Sequence, residues 1–305
     1  YDKFTSGVLI NKPVPMSTGF STIAFNGGDM SNRGIELGLN AGILRGKDLS
    51  WDVNFNISRN VNKIVRLDAD YLEPFSRRFI IFRQGNPVNG FWLWNQTGVN
   101  PETGDAVYQD VDGNGRINDD DRLILGSNQP DFFGGLNTTL RYKGFDLNAF
   151  FNFEVGQEVV NWSTFFMVHG GTRRNNTNGT ATYGFYTRQL DRWQKPGDVT
   201  DIPRLGGRNM ANNYNLFTSR ALEDGSYARL KTLTLGYTLP RPLLNRLRLS
   251  TVRVYVMGTN LLTFTNYSGL DPEINAGGGK GTVGGVEMFT VPQPRTVQAG
   301  LNLSF

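Results

Sequence analysis

Along several stretches of the chain, apolar and polar residues alternate one for one, and this periodicity restricts the fold more than any other feature. At the C-terminal end Val297, Ala299, Leu301, Leu303 and Phe305 alternate with Gln298, Gly300, Asn302 and Ser304. With 38% apolar residues in the chain, five apolar positions in succession on one face arise by chance about 1% of the time. The pattern recurs at Ile35, Leu37, Leu39, Ala41 and Ile43, and again at Trp51, Val53, Phe55 and Ile57. It returns at Phe145, Leu147, Ala149, Phe151 and Phe153, with Phe150 out of phase, at Leu233, Leu235 and Tyr237, and at Val252, Val254 and Val256. A period of two describes strands with one apolar and one polar face.

The runs last about 9 to 13 residues, longer than the roughly 5 to 6 of soluble strands and close to the 9 to 11 that cross a bilayer. About eight strands are expected, near 1–10, 33–44, 49–59, 131–143, 145–156, 224–239, 250–264 and 292–305. Short connections at Leu44–Asp48, Lys143-Gly144 and Leu239–Leu249 alternate with long ones at about 60–130, 157–221 and 265–290. Short turns on one side and long loops on the other are the arrangement of an outer-membrane barrel. The fold class expected is therefore all-β, a transmembrane antiparallel β-barrel, with a large soluble β-sandwich as the alternative. A terminal strand ending at Phe305 puts the short turns on the periplasmic side and the long loops outside. Arg173–Gly179 and Gly277–Gly285 are polar and glycine-rich with no packing pattern, whereas Val159–Val168 is an apolar stretch suited to a short helix or strand under the loop.

Composition narrows the function. No apolar run reaches the roughly 18 residues of a membrane helix. Cysteine is absent, so thiolate chemistry and disulfides are excluded. A net charge of +4 with scattered Lys and Arg gives no nucleic-acid footprint. His169 is the only histidine, beside Gly170 and Gly171, and a surface role suits it better than a triad or a metal site. The chain reads as a protein without enzymatic activity. It begins at Tyr1 with no leader, which is the mark of a processed end or a cut.

One motif names ligands. Asp110–Asp121 places oxygen donors at positions 1, 3, 5 and 12 of a twelve-residue loop (Asp110, Asp112, Asn114, Asp121), with Gly115 at position 6. This is calcium-loop spacing, in which Arg116 offers its carbonyl and Asn118 acts at position 9 through water. Asp121 stands where a Glu normally reaches in with both oxygens. The alternative is an Asx-rich turn tied by its own side chains. Calcium, if held, is structural. Aromatic residues in or beside the long loops, Trp92, Trp94, Trp162, Tyr183, Phe185 and Tyr186, are candidates for substrate contact, or for packing between loops.

Several blocks carry a family resemblance. Thr18-Gly19-Phe20, Asn26-Gly27-Gly28 and Asn32–Glu36 open it. Asp110–Arg122, Leu125-Gly126, Pro130, Gly134-Gly135-Leu136 and Tyr142-Lys143-Gly144 continue it. Leu190–Trp193, Ile202-Pro203-Arg204, Leu222–Lys231, Leu235–Pro240 and Pro294–Phe305 complete it in order. Together they resemble the SusC/RagA family of TonB-linked outer-membrane proteins, from end to end. The resemblance implies a barrel of roughly 22 strands with an N-terminal plug, of which this chain holds the C-terminal strands and neither the plug nor the TonB-contact segment. It also implies a SusD-like surface lipoprotein as partner, energy from the TonB complex, and import of oligosaccharides or peptides. An adhesive or structural barrel, and a receptor for metal chelates or vitamins, remain as other readings.

Overall fold

A computed structural model of the chain describes residues 1–20, 22–72, 79–168, 186–205, 213–214, 217–247, 249–273 and 284–305. In chain order the first strands are β1 (Asp2–Pro13), β2 (Thr22–Arg45), β3 (Leu49–Leu67), β4 (Tyr71–Leu72), β5 (Ile80–Phe82), β6 (Gly90–Trp94), β7 (Gln96–Val99) and β8 (Ala106–Tyr108). They are followed by β9 (Arg122–Ser127), β10 (Phe132–Tyr142), β11 (Phe145–Val155), β12 (Glu158–Asn161) and β13 (Leu222–Asp224). The last are β14 (Tyr227–Thr238), β15 (Thr251–Thr265), β16 (Val286–Glu287) and β17 (Thr296–Ser304). Eight of these form one sheet in the order β1-β2-β3-β10-β11-β14-β15-β17, antiparallel at every step. The sheet is an open wall: β1 and β17 each have one neighbour, so it is not closed on itself.

Register turns the sequence alternation into a surface. Leu44, Trp51, Leu140, Leu147, Leu235, Val256 and Ala299 lie in one row across the strands. Leu39, Phe55, Leu136, Phe151, Leu230 and Leu262 form a parallel row further from the short turns. Many of these side chains are uncovered: Leu39 is 54% exposed, Leu235 53%, Val256 50% and Leu147 39%. A contiguous apolar face of this extent is incompatible with water and suited to lipid tails. The other face is polar and self-bonded. The Asn148 amide donates to Asn137 Oδ1 at 2.9 Å and to Thr139 Oγ1 at 2.8 Å. Phe150, the out-of-phase residue, lies against Gly135, where a side chain would crowd it.

Near the short turns the polar face is ionic. Asp52 receives Arg45 at 2.7 Å and Arg141 at 3.2 Å. Arg253 of β15 reaches past β14 to Asp146 of β11, bonding through Nε at 2.9 Å and Nη2 at 2.6 Å. Gly236 lies beneath that stride: a Cβ there would stand 2.4 Å from Arg253 Nη2 and 2.6 Å from Asp146 Oδ1. The Tyr255 ring similarly covers Gly300 of β17.

Six of the eight expected strands keep their places to within about four residues; β2 and β3 depart from the expectation. β2 begins at Thr22 instead of near 33, while β3 runs to Leu67, so the first long connection starts at 68 and not at 60. In this extension apolar residues cease to mark a face because lipid no longer selects them. The ladder continues on polar pairs instead: Asn32 Oδ1 accepts from Asn62 at 2.9 Å, and Arg66 binds Asp29 at 2.7 Å. β1 pairs with this upper part, from Asp2 opposite Arg33 to Pro13 opposite Thr22. The connection Leu239–Leu249, expected as a short turn, contains a helix at Arg241–Leu247.

Cysteine scanning in intact membranes checks the wall. Thiols at Leu37, Val53, Leu147 and Leu301 should resist aqueous reagents, while those at Asn40, Asn54, Asn148 and Asn302 should react; equal labelling of both sets would contradict the two-faced sheet. Depth should show as a gradient. Leu233→Arg, level with Ala149 and Gly258 in mid-wall, should destabilise by about 2–4 kcal/mol, and Tyr237→Arg near the turns by about 0–1 kcal/mol, in urea-unfolding titrations in lipid.

Candidate functional site

The long connections carry the hydrophobic core of the described residues. Phe79, Ile80, Phe91, Leu93, Val160, Trp162 and Val286 are all buried and packed together. The first four belong to the connection between β3 and β10, Val160 and Trp162 to the one between β11 and β14, and Val286 to the one between β15 and β17. Backbone pairing knits the same segments. β12 pairs with β13 on one side and with β16 on the other, and the Trp94 N–H donates to the Phe217 carbonyl at 2.8 Å. The apolar stretch 159–168 forms the end of β12 and a helix at Trp162–Met167. The long loops are thus one folded layer above the wall.

This layer gives the candidate aromatic residues specific places. In Phe91-Trp92-Leu93-Trp94 the alternation of a strand points Phe91 and Leu93 into the core, leaving Trp92 and Trp94 on the opposite face. That face packs on Arg122, whose guanidinium lies 4.8 Å from the Trp92 ring, 4.3 Å from Trp94 and 4.4 Å from Phe217. The Trp92 ring N–H donates to the Arg122 carbonyl at 3.1 Å, and the Trp94 ring N–H to the Asn118 carbonyl at 2.5 Å. Both rings therefore brace the acidic loop. Trp162 is 3% exposed and meets Phe79 edge-on at 5.5 Å, so packing between loops occupies it. Tyr186 is half-buried beside Met167, and its hydroxyl pKa is pushed up by burial and by the nearby Glu287 and Glu223. Tyr183, Phe185, His169 and the run 173–179 lie outside the described residues, as does most of 277–285.

The acidic loop gathers three of its six candidate ligands. Asp110, Asp112 and Asp121 each bring one carboxylate oxygen into a group whose members lie within 4.8 Å of one another. Gly113 and Gly115, at φ +72° and +76°, donate their N–H groups to Asp110 at 2.8 Å each; left-handed backbone of this kind favours glycine. Asp121 is fully buried and accepts from the N–H groups of Asn118 and Val111, which hold its carboxyl below the usual carboxylate range. Its contribution stands above the ordinary carboxylate pKa and is lost as pH falls through the lowered one. Asn114 and Asn118 have other partners: Asn114 donates to Asp112 Oδ2 at 2.6 Å, and Asn118 caps the following turn through Asp120 N–H. The three aspartates match a hard cation's preference for oxygen, since an oxygen that accepts one hydrogen bond retains a second lone pair.

A second charged group fastens the layer to the wall. Arg229 and Lys231 of β14 face Asp271 and Glu273 of the last long connection. Arg229 pairs with Asp271 at 2.5 Å and with Glu273 at 2.8 Å, and Lys231 with Glu273 at 2.5 Å. Burial acts to raise the Asp271 carboxyl, but the Arg229 guanidinium and the N–H groups of Glu273 and Gln293 outweigh it and hold the group below the usual range. Asp271 and Glu273 were not singled out by spacing; their signal is opposite charge at distant positions, visible only when the register is known. Arg122 was not singled out either, because the aromatic rings it packs on come from other segments.

Relatives agree with this architecture. No protein-family model matches the chain. The TonB-dependent receptor P3 of Formosa agariphila is 35% identical over 99% of this chain and 31% of its own length. SusC of Bacteroides thetaiotaomicron, also a TonB-dependent receptor, is 25% identical over the whole chain and 29% of its own length. Among solved structures, the RagAB peptide transporter superposes over the whole chain with a TM-score of 0.83 and 29% identity, using 32% of that chain. These proteins are receptors and transporters, in line with a chain that is not an enzyme. The chain spans about a third of the length of the relatives it matches, and over its whole length it fits the SusC/RagA-like TonB-dependent proteins of the outer membrane.

Proposed function

We propose that the whole protein imports an oligomeric nutrient, a peptide or an oligosaccharide, across the outer membrane, energised through TonB and capped by a SusD-like surface lipoprotein. The observation that carries this reading is the folded loop layer. Long connections on a barrel need no common core to stay outside the membrane; a layer with its own core, braced at the acidic loop and fastened at Arg229, suits a docking platform for a partner and a cargo. The RagAB relative is described as a peptide transporter, which makes peptides the first class to test.

Uptake decides the cargo. Cells deleted for the gene should lose accumulation of either labelled oligopeptides or labelled oligosaccharides, regained on complementation; unchanged uptake of both would favour an adhesive barrel. The partner is tested by solubilising the full-length protein in mild detergent, when a surface lipoprotein should co-purify. Leu190 and Val199 are apolar yet 67% and 96% exposed, and their joint replacement by Asp should reduce that recovery roughly tenfold while leaving the barrel folded, as expected of interface anchors. Recovery of the barrel alone, under conditions that preserve other lipoprotein contacts, would count against the partner.

Calcium at Asp110, Asp112 and Asp121 belongs to the same proposal as a structural ion beneath the platform. Binding should be modest, about 10⁻⁴ to 10⁻³ M as in extracellular modules. Chelation, or Asp112→Asn, should raise proteolysis around Gly113–Gly115 and leave the wall strands protected. Equal cleavage with and without calcium would leave the loop as a turn held by its own hydrogen bonds.

A further inference from the structure

Two short turns stand side by side at the periplasmic end: residues 46–48 between β2 and β3, and Lys143-Gly144 between β10 and β11. The Lys143 N–H donates to the Asp48 carbonyl at 3.0 Å, tying them together. Between them opens a cavity of about 510 Å³ walled by Lys47, Asp48, Arg141, Tyr142, Lys143 and Phe145, among others. The bases of this corner fall into two sets. Arg45 and Arg141 turn to the polar face, where Asp52 takes both. Lys47 and Lys143 are exposed, and neither forms an ion pair among the described residues.

Geometry places the Lys143 charge on the lipid side. The Lys143 ammonium lies 5.3 Å over the Tyr142 ring, and Tyr142 belongs to the apolar face, 48% exposed. Phe145, 51% exposed, packs on Tyr237 at 4.5 Å, which gives this edge of the wall the aromatic rim that marks the level of lipid headgroups. Lys143 itself has φ +45° and precedes Gly144 at φ +90°. This is the first central position of a tight hairpin turn, where Asn, Asp or Gly is favoured. A long cationic side chain held in left-handed backbone is explained better by what it touches than by the turn.

We propose that this cavity binds the phosphate of an anionic phospholipid headgroup in the periplasmic leaflet. The Lys47 and Lys143 ammonium groups donate to the phosphate oxygens, while Tyr142 and Phe145 pack against the glycerol and upper acyl chain. The site depends on where the wall sits in the membrane and is independent of what the protein imports.

The test is native mass spectrometry of the full-length protein, titrated with dioleoyl phosphatidylglycerol, dioleoyl phosphatidylcholine or inorganic phosphate. The variants are Lys47→Gln and Lys143→Asn, singly and together; asparagine tolerates the left-handed turn, and unchanged uptake would certify folding. Wild type should retain one phosphatidylglycerol more than the double variant at equal lipid, with about tenfold weaker binding in the variant. Phosphatidylcholine should not distinguish them, and millimolar phosphate should not displace the lipid. Equal phosphatidylglycerol retention by wild type and double variant would overturn the proposal. So would displacement by inorganic phosphate, which would make the site one for a free anion.

Discussion

Hydrocarbon offers no partner for a peptide N–H or C=O, so a chain crossing it must pair its own backbone completely. That demand organises the rest of this molecule. It imposes long antiparallel ladders, the ladders impose a period of two, and the period delivers every second side chain to lipid. Leucine, valine and phenylalanine, which would fill the interior of a soluble protein, are therefore uncovered along the wall. The interior they would have made reappears outside the membrane, where Phe79, Phe91, Val160, Trp162 and Val286 close a core among the loops. The molecule is turned inside out in its wall and right way round in its loops.

The polar face follows a different rule. It borders an interior that admits water, so its charges bear on neighbours across strands without the full expense of deep burial. Glycine makes this possible: Gly236 leaves the space through which Arg253 passes over an entire strand to Asp146. The Arg229, Lys231, Asp271 and Glu273 group is more deeply enclosed. At Arg229 and Asp271, removal of one partner strands a buried charge, which is far more damaging than loss of an exposed pair.

How much of this was legible in the residues depended on the solvent each one meets. Where lipid selects, as at Leu233, Leu235 and Tyr237, alternation marked the strand and its outward face, and Lys143-Gly144 marked the turn. Above the lipid the selection lapses, and the upper part of β2 became readable only through its partners, Asn32 with Asn62 and Asp29 with Arg66. The acidic loop was legible because its bonds are local, all of them closing within the twelve residues of the motif. The service of Trp92 and Trp94 was hidden, because it depends on Arg122 and Phe217, and the latter arrives from a connection more than a hundred residues away.

The shared core of the loop layer bears on how such a protein diversifies. In a barrel with independent loops, each loop is a separate module that can lengthen, shorten or be exchanged alone. Here Val160 of one connection packs with Phe91 of another and Val286 of a third, so a change in any one alters the seating of the others. New specificity must arise either by coordinated replacement of all three or by single changes on the rim, where side chains such as Val199 and Leu190 contribute nothing to the core. Chimaeras joined within one loop inherit mismatched halves of a common interior, whereas exchange of the whole layer at the level of the wall preserves it.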